Sequence, residues 1–246
     1  MISATLRTIT GRKGSFRGGA IFVLVMAMLV IVAQIVIHEL RPGRNPSMGG
    51  QEMLNGVGGA VFLFGVIVAI LIGSLAGSYD VAQGTMRYLV ITGARRGQIY
   101  AARIVAVALA VLLMLAVPLA LGAILAVALP HTADDGITVA ELVDYFWTAT
   151  LFAVVFGLIS MGIGSLLRSN GPAIAISLVF SIGFTPLLLL LYSFSDTLGD
   201  MTLASSLDRI SGGDDGLPIA AAGVSVVIWV AAFLGAGALR VQHDEY

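Results

Sequence analysis

The chain has 246 residues, of which 58% are hydrophobic and only 11% are charged, and its formal net charge at pH 7 is −1. A typical soluble domain carries about 25% charged residues, so a chain this apolar is expected to have lipid as its solvent. The absence of cysteine excludes a disulfide framework and a cysteine-based metal or redox site. The length favours a single domain covering residues 1–246.

The first 17 residues have the pattern of an amphipathic helix. Ile2, Leu6, Ile9 and Phe16 fall on one face of a helical wheel, and Arg7 lies opposite them. This pattern is typical of an interfacial helix that lies on the cytoplasmic leaflet. The alternative is a basic tail that only sets the orientation of the chain.

Six stretches are apolar over the ~20 residues that a helix needs to cross a bilayer. They are residues 19–37, 59–78, 104–129, 145–167, 171–192 and 218–239. Membrane strands would alternate apolar and polar residues, and these stretches do not, so helices are expected. The predicted fold class is an all-α membrane protein with six transmembrane helices. Pro118 and Pro186 are expected to kink the third and fifth of them.

Lys and Arg are concentrated on one set of connecting segments. Ten of the 13 lie before the first stretch, between the second and third, between the fourth and fifth, or after the sixth: Arg7, Arg12, Lys13, Arg17, Arg87, Arg95, Arg96, Arg103, Arg168 and Arg240. The opposite segments hold most of the acids. The positive-inside rule therefore predicts that both termini are cytoplasmic.

Two connecting segments carry further predictions. Residues 168–170 are so short that the fourth and fifth stretches should form a tight helical hairpin. Residues 194–217 are the longest outer segment and have apolar spacing, so short helices resting on the membrane are expected there. The run 212–216 is rich in Gly and Asp and indicates a loop.

The predicted spans have no Asp, Glu, Lys, Arg or His near their centres. This argues against a proton- or sodium-coupled transporter and against an intramembrane protease or metalloenzyme. His38, His131 and His243 are scattered at span ends or in the tail and do not form a metal site. A Walker loop needs Gly before its Lys, but Arg12 precedes Lys13, so no ATP site is expected on this chain. No catalytic residue, metal or cofactor is therefore predicted for it.

The second stretch contains a GxxxG motif, Gly73 to Gly77. Such a motif favours a close contact between two helices, with a dimer interface as one location. The alternative is the ordinary frequency of glycine in a glycine-rich chain.

Residues 79–103 combine features that membrane topology alone does not explain. In chain order they are an acid, a Gly-Thr pair, an apolar patch, a turn and a basic pair: Asp80, Gly84, Thr85, Tyr88 to Ile91, Gly93, Arg95 and Arg96. Retention on the cytoplasmic side explains the arginines. It does not explain why an acid, a Gly-Thr pair and an apolar patch occur together in one loop.

This order of residues resembles the ABC-2 type transporter permeases. Members carry an acid after the second span, then Gly-Thr, a leucine-rich stretch, a turn, an Arg and a basic residue leading into the third span. The matching residues are Asp80, Gly84, Thr85, Leu89, Arg95, Arg96 and Arg103. The departures are Asp80 where Glu is usual, Ala94 where Pro is frequent, and Arg103 where Lys is usual. The six spans and the N-terminal helix extend the resemblance over nearly the whole chain.

The resemblance implies a permease subunit of an ABC exporter. The segment 79–103 would form a coupling helix that docks on a separate ATPase subunit, which binds ATP and Mg²⁺. Two ATPase copies and a second permease, identical or paralogous, would complete a transporter in a prokaryotic inner membrane, and nucleic acid is not an expected partner. The docking residues implied are Asp80, Gly84, Thr85, Arg87, Tyr88, Leu89, Arg95 and Arg96. The arginines are expected to pair with acids on the ATPase or with lipid phosphates.

Other functions stay open at the level of sequence. A scaffold or assembly protein would tolerate a sealed helix bundle and need no ATPase. A channel or secondary transporter is disfavoured by spans without central charges, although hydrophobic pores gate by dewetting. An intramembrane enzyme has the least support.

Overall fold

The computed structural model describes residues 2–11, 16–40, 49–82, 96–130, 136–214 and 216–243, and its regular elements within those ranges are all helical. The first five helices are α1 (Ile2–Thr10), α2 (Gly18–Leu40), α3 (Gly50–Ala82), α4 (Arg96–Ala128) and α5 (Val139–Leu167). They are followed by α6 (Asn170–Leu178), α7 (Thr185–Leu187), α8 (Asp196–Asp200), α9 (Leu203–Ile210) and α10 (Ile219–His243).

Five of these helices are long and apolar enough to cross a membrane: α2, residues 50–79 of α3, α4, α5 and α10. They contain the first, second and fourth predicted spans and nearly all of the third and sixth. The prediction of an all-α membrane protein is therefore confirmed at this level, and the chain crosses the membrane several times. Pro118 lies inside α4, which continues as one helix through it.

The fifth predicted span, residues 171–192, is helical but irregular. Between α6 and α7 lies a π-helix, Val179–Phe184, and a 3₁₀ helix, Leu188–Ser193, follows α7. Pro186 has no N–H to donate within the helix, so this part of the segment cannot keep regular α-helical bonding. The Thr185 backbone N–H and its hydroxyl both bond the Phe180 carbonyl, the hydroxyl at 2.9 Å. Because the segment changes helix type, it is not one regular helix of spanning length.

The hairpin predicted at residues 168–170 is confirmed. Arg168 has a φ of 58°, and its N–H donates to the Gly164 carbonyl at 3.1 Å, which ends α5. α6 then begins at Asn170. Because a left-handed residue turns the chain within one position, the two helices are joined almost without a loop.

Helices α3, α5 and α10 run in the same direction, and α4 runs against them. Gly58 and Gly77 of α3 lie beside Tyr145 and Met161 of α5, whereas Val57 and Gly65 lie beside Gly122 and Leu115 of α4, in reverse order. α10 is parallel to α5, because Gly162 and Ser165 lie beside Phe233 and Gly237. The bundle thus has two ends. We call the end with Ala82, Arg96, Leu167 and His243 the basic end. We call the end with Gly50, Ala128, Val139 and Ile219 the acidic end.

Of the amphipathic helix predicted over residues 1–17, the part Ile2–Thr10 is confirmed as α1, and residues 12–15 lie outside the described ranges. Ile9 is buried and Leu6 packs beside the main core, whereas Arg7 is exposed. Contacts with α4 account for part of this burial. The apolar face of α1 is therefore at least partly covered by protein.

The segment that follows the fifth predicted span forms two short helices, α8 and α9, as expected. The predicted location on the membrane surface stays a prediction, and the structure adds that α9 packs against α10. The Met201 carbonyl accepts bonds from the Ser225 hydroxyl at 2.9 Å and the Trp229 indole N–H at 3.1 Å. Trp229 lies about 15 Å along α10 from Ile219, at a rise of about 1.5 Å per residue.

The physical reason is burial of the apolar face of α9. Leu203 and Leu207 are fully buried in a cluster with Ile70, Phe156 and Val226. The predicted loop follows, with Gly212 and Gly216 both at a φ of 103°. Only glycine adopts that conformation readily, so the turn needs these residues.

Candidate functional site

Most of the predicted docking residues lie outside the described residues. These are Gly84, Thr85, Arg87, Tyr88, Leu89 and Arg95. Asp80 is in the last turn of α3, and Arg96 is the first residue of α4. The structure therefore describes the two helices that flank the predicted docking segment, and the role of the segment stays a prediction.

Arg96 is held against the end of α10. Its guanidinium donates to the Gln242 carbonyl at 3.3 Å. A cation at the C-terminal end of a helix also interacts favourably with the helix dipole. The resemblance had given Arg96 to a partner or to lipid, but the structure gives it at least one contact within the chain.

One turn into α4, three helices meet at Tyr100. A Cβ atom at Gly237 of α10 would lie 2.6 Å from the Tyr100 hydroxyl oxygen and 3.0 Å from the Gly162 carbonyl oxygen of α5. Such spacing leaves no room for a side chain at position 237. The start of α4 is therefore packed directly onto α5 and α10.

Arg103 is buried, with 3% of its surface exposed. Sequence reasoning treated it as a topological cation that leads into the third span. An arginine that loses its water must be compensated by hydrogen bonds or opposite charge. We therefore count Arg103 as part of the protein core at the basic end. In the sequence, the only sign of this burial was that Arg103 directly precedes the apolar stretch 104–129.

The GxxxG motif makes its contact within the chain. Cβ atoms at Gly73 and Gly77 of α3 would collide with the carbonyl oxygens of Gly157 and Met161 of α5. A Cβ atom at Gly164 of α5 would likewise collide with the Ser74 carbonyl oxygen. The backbones of α3 and α5 therefore touch in the half of the bundle nearer the basic end. The prediction of a tight helix contact is confirmed, with both helices in one chain.

Hydroxyl groups bridge α3 to α6 beside this contact. The Ser78 hydroxyl donates to the Asn170 side-chain oxygen at 2.8 Å, and the Ser74 hydroxyl bonds the Ser177 hydroxyl at 3.0 Å. Ser74, Ser78 and Ser177 are all fully buried. Interhelical bonds of this kind average about 0.6 kcal/mol in a membrane protein, so they orient α6 more than they stabilise it.

At the acidic end, α3 and α5 separate and enclose a cleft of about 250 Å³. Asn55, Gly59 and Phe62 line it from α3, and Glu141, Asp144 and Tyr145 line it from α5. Phe62 also packs edge-on against Phe152, with ring centroids 4.9 Å apart. The cleft therefore has both polar and aromatic lining residues.

Local structure fixes the two carboxylates. Glu141 completes a capping box, because it accepts from the Thr138 N–H at 2.6 Å while the Thr138 hydroxyl accepts from the Glu141 N–H at 3.3 Å. Asp144 follows three residues later on the same helix, is exposed, and lies 3.5 Å from the Thr148 hydroxyl. Both side chains thus project from the first turns of α5.

Sequence reasoning missed this cleft. Its polar residues precede the apolar stretches 59–78 and 145–167, so they read as solvated span ends. The sequence did contain a sign of a shared polar site. Both stretches begin at the same side of the membrane in the predicted topology, and each is preceded by polar residues at helical spacing. Only the crossing of α3 and α5 brings the two sets together.

No protein-family model matches the sequence. No curated protein matches it either.

Proposed function

We propose that the chain is the permease subunit of an ATP-driven ABC exporter. It crosses a prokaryotic inner membrane six times, with the irregular segment 170–193 as the fifth crossing and both termini in the cytoplasm. It docks a separate ATPase through residues 79–103 and pairs with a second permease. The energy for transport comes from ATP and Mg²⁺ bound by the partner, not by this chain.

The observation that carries the proposal is that the helices on both sides of the docking segment extend beyond their apolar stretches. The apolar stretches 59–78 and 104–129 continue beyond their apolar limits as helix, to Ala82 in α3 and back to Arg96 in α4. A force on residues 83–95 would therefore act on two rigid helices at once. A flexible loop that served only to set topology would need no such extensions.

The packing at the basic end supports the same view. α4 is tied to α10 through Arg96 and to α5 and α10 through Tyr100, and α3 touches α5 along Gly73 and Gly77. A displacement of α3 or α4 would therefore be passed to the other long helices, because packed cores transmit strain instead of absorbing it.

The test is co-expression with the ATPase encoded beside the gene, followed by affinity purification in detergent and an ATPase assay. We expect a stable complex in the parent protein. Gly84→Trp and Thr85→Trp should each lower the yield of complex about tenfold or more, since disruption of a docking centre costs at least about 1.4 kcal/mol.

Gly171→Trp is the matched control, because Gly171 also lies at the basic end and a Cβ atom there meets nothing within 4 Å. It should leave the complex intact. Loss of complex with all three variants would indicate general misfolding at this end. Unchanged ATPase capture and transport with the Gly84 and Thr85 variants would refute the docking assignment, and no complex with any encoded ATPase would favour the scaffold.

A further inference from the structure

The cleft between α3 and α5 has the charge of a cation site. Glu141 and Asp144 both line it, and none of the described residues that line it is a Lys or an Arg. A cleft lined by one sign of charge, with low-dielectric walls, raises the local concentration of ions of the opposite sign.

Aromatic rings add a second kind of recognition. Phe62 and Tyr145 line the same cleft as the two carboxylates. The faces of aromatic rings attract ammonium groups, and quaternary ammonium ligands are held in proteins by such rings. A site that combines aromatic walls with carboxylates therefore suits an organic ammonium better than a neutral or anionic compound.

From the cavity, its rings and its charge together, we propose that the cleft binds a small organic ammonium ion. The ammonium would lie between the Asp144 and Glu141 carboxylates and the rings of Phe62 and Tyr145. As a binding site the cleft is independent of the exporter proposal, and only the identification of the bound ammonium as cargo rests on that function.

The volume and the lining residues of the cleft narrow the class of ligand. A volume of about 250 Å³ lies just below the range of about 300–1,000 Å³ typical of pockets for drug-sized ligands, so the ligand is small. A metal ion fits less well, because within the described ranges no group of three or more His, Cys, Asp or Glu side chains could hold one.

Gly59 offers a clean way to fill the cleft. It lines the cavity and is exposed, and a Cβ atom there would meet nothing within 4 Å. Gly59→Leu would therefore occupy the space of the ligand without disturbing the packing of α3. Gly223→Leu is its matched control, because a Cβ atom at Gly223 of α10 also meets nothing within 4 Å and Gly223 does not line the cleft.

The experiment is a ligand-observed NMR titration of the purified chain in maltoside micelles, without ATPase or ATP. The probe is choline, compared with its neutral carbon analogue, in which a tert-butyl group replaces the trimethylammonium group. We expect saturable binding of choline and at least about tenfold weaker binding of the analogue, a difference of about 1.4 kcal/mol.

Asp144→Asn and Gly59→Leu should each weaken choline binding about tenfold or more, whereas Gly223→Leu should not change it. Asp196→Asn removes the same charge from an exposed acid outside the cleft and should also leave binding unchanged. The proposal is overturned if the parent chain shows no saturable binding, if the neutral analogue binds equally well, or if Asp144→Asn and Gly59→Leu bind like the parent. Displacement of choline by micromolar calcium would reassign the cleft to a metal ion.

Discussion

Gly77→Leu is expected to separate α3 from α5 and to lower the free energy of unfolding by about 3 kcal/mol or more. At this position a Cβ atom would collide with the Met161 carbonyl oxygen and lie 2.7 Å from the Ser165 backbone nitrogen. Both obstacles are backbone atoms of a helix, so no side-chain rotation relieves the clash. The helices must move apart, which opens voids along a closely packed seam.

The contact is reciprocal, which makes the effect larger than for an isolated glycine. Gly73 of α3 meets Gly157 of α5, and Gly164 of α5 meets Ser74 of α3. In a membrane, lipid tails are as apolar as leucine, so close packing and interhelical hydrogen bonds hold helices together. Loss of the seam would therefore not be offset by the larger apolar side chain.

Thermal unfolding in detergent and titration with a denaturing detergent measure this change. Gly235→Leu is the control, because Gly235 of α10 is also glycine in a long helix but a Cβ atom there meets nothing within 4 Å. It should unfold like the parent. If Gly77→Leu keeps the parental stability and only dissociates a dimer, the motif acts between chains and the packing described for α3 and α5 is incorrect.

The long helices were predictable because hydropathy reports directly on the solvent of each segment. The apolar stretch 145–167 lies within α5, and the amphipathic pattern of residues 2–9 lies within α1. The tight turn at Arg168 was predictable for another reason, since three residues cannot form a long connection. In each case a local property of the chain decided the structure.

The position of α9 was not predictable in the same way. Leu203 and Leu207 form an apolar face that would suit a membrane surface as well as a protein groove, because both are apolar. The arrangement of α3, α5 and α10 decides between the two surroundings. It places Val226 and Trp229 of α10 next to the segment that contains α9. That arrangement depends on the long-range contact of Gly73 and Gly77 with α5.

The two candidate sites also differ in whether local sequence or long-range packing determines them. The docking segment was recognised from the order of its residues, which is local information, although most of those residues lie outside the described ranges. The cleft was missed, because Asn55 and Asp144 are far apart in sequence and meet only through the crossing of α3 and α5. A charge-free interior predicted from sequence is thus compatible with a charged cleft at one end.

Leu207→Ala is expected to release α9 from the bundle, at a cost of about 3 kcal/mol in the stability of this part of the protein. Leu207 is fully buried in the cluster that also contains Ile70, Phe156 and Val226. Truncation of a buried leucine removes its contacts and leaves a cavity that the neighbouring helices fill only in part. Leu203 and the bonds of Met201 to Ser225 and Trp229 then have to hold the segment without Leu207.

Limited trypsin digestion measures this release directly, because Arg209 lies within α9. In the parent, Arg209 is held by the carbonyl oxygens of Leu217 and Gly213 and should resist cleavage. Leu207→Ala should cut at Arg209 substantially faster, since local unfolding exposes the site in proportion to the population of the open form. Leu198→Ala is the control, because Leu198 is 49% exposed in the neighbouring helix α8 and its truncation should change stability by less than about 0.5 kcal/mol. Equal cleavage rates at Arg209 in all three proteins would show that α9 is not anchored through Leu207.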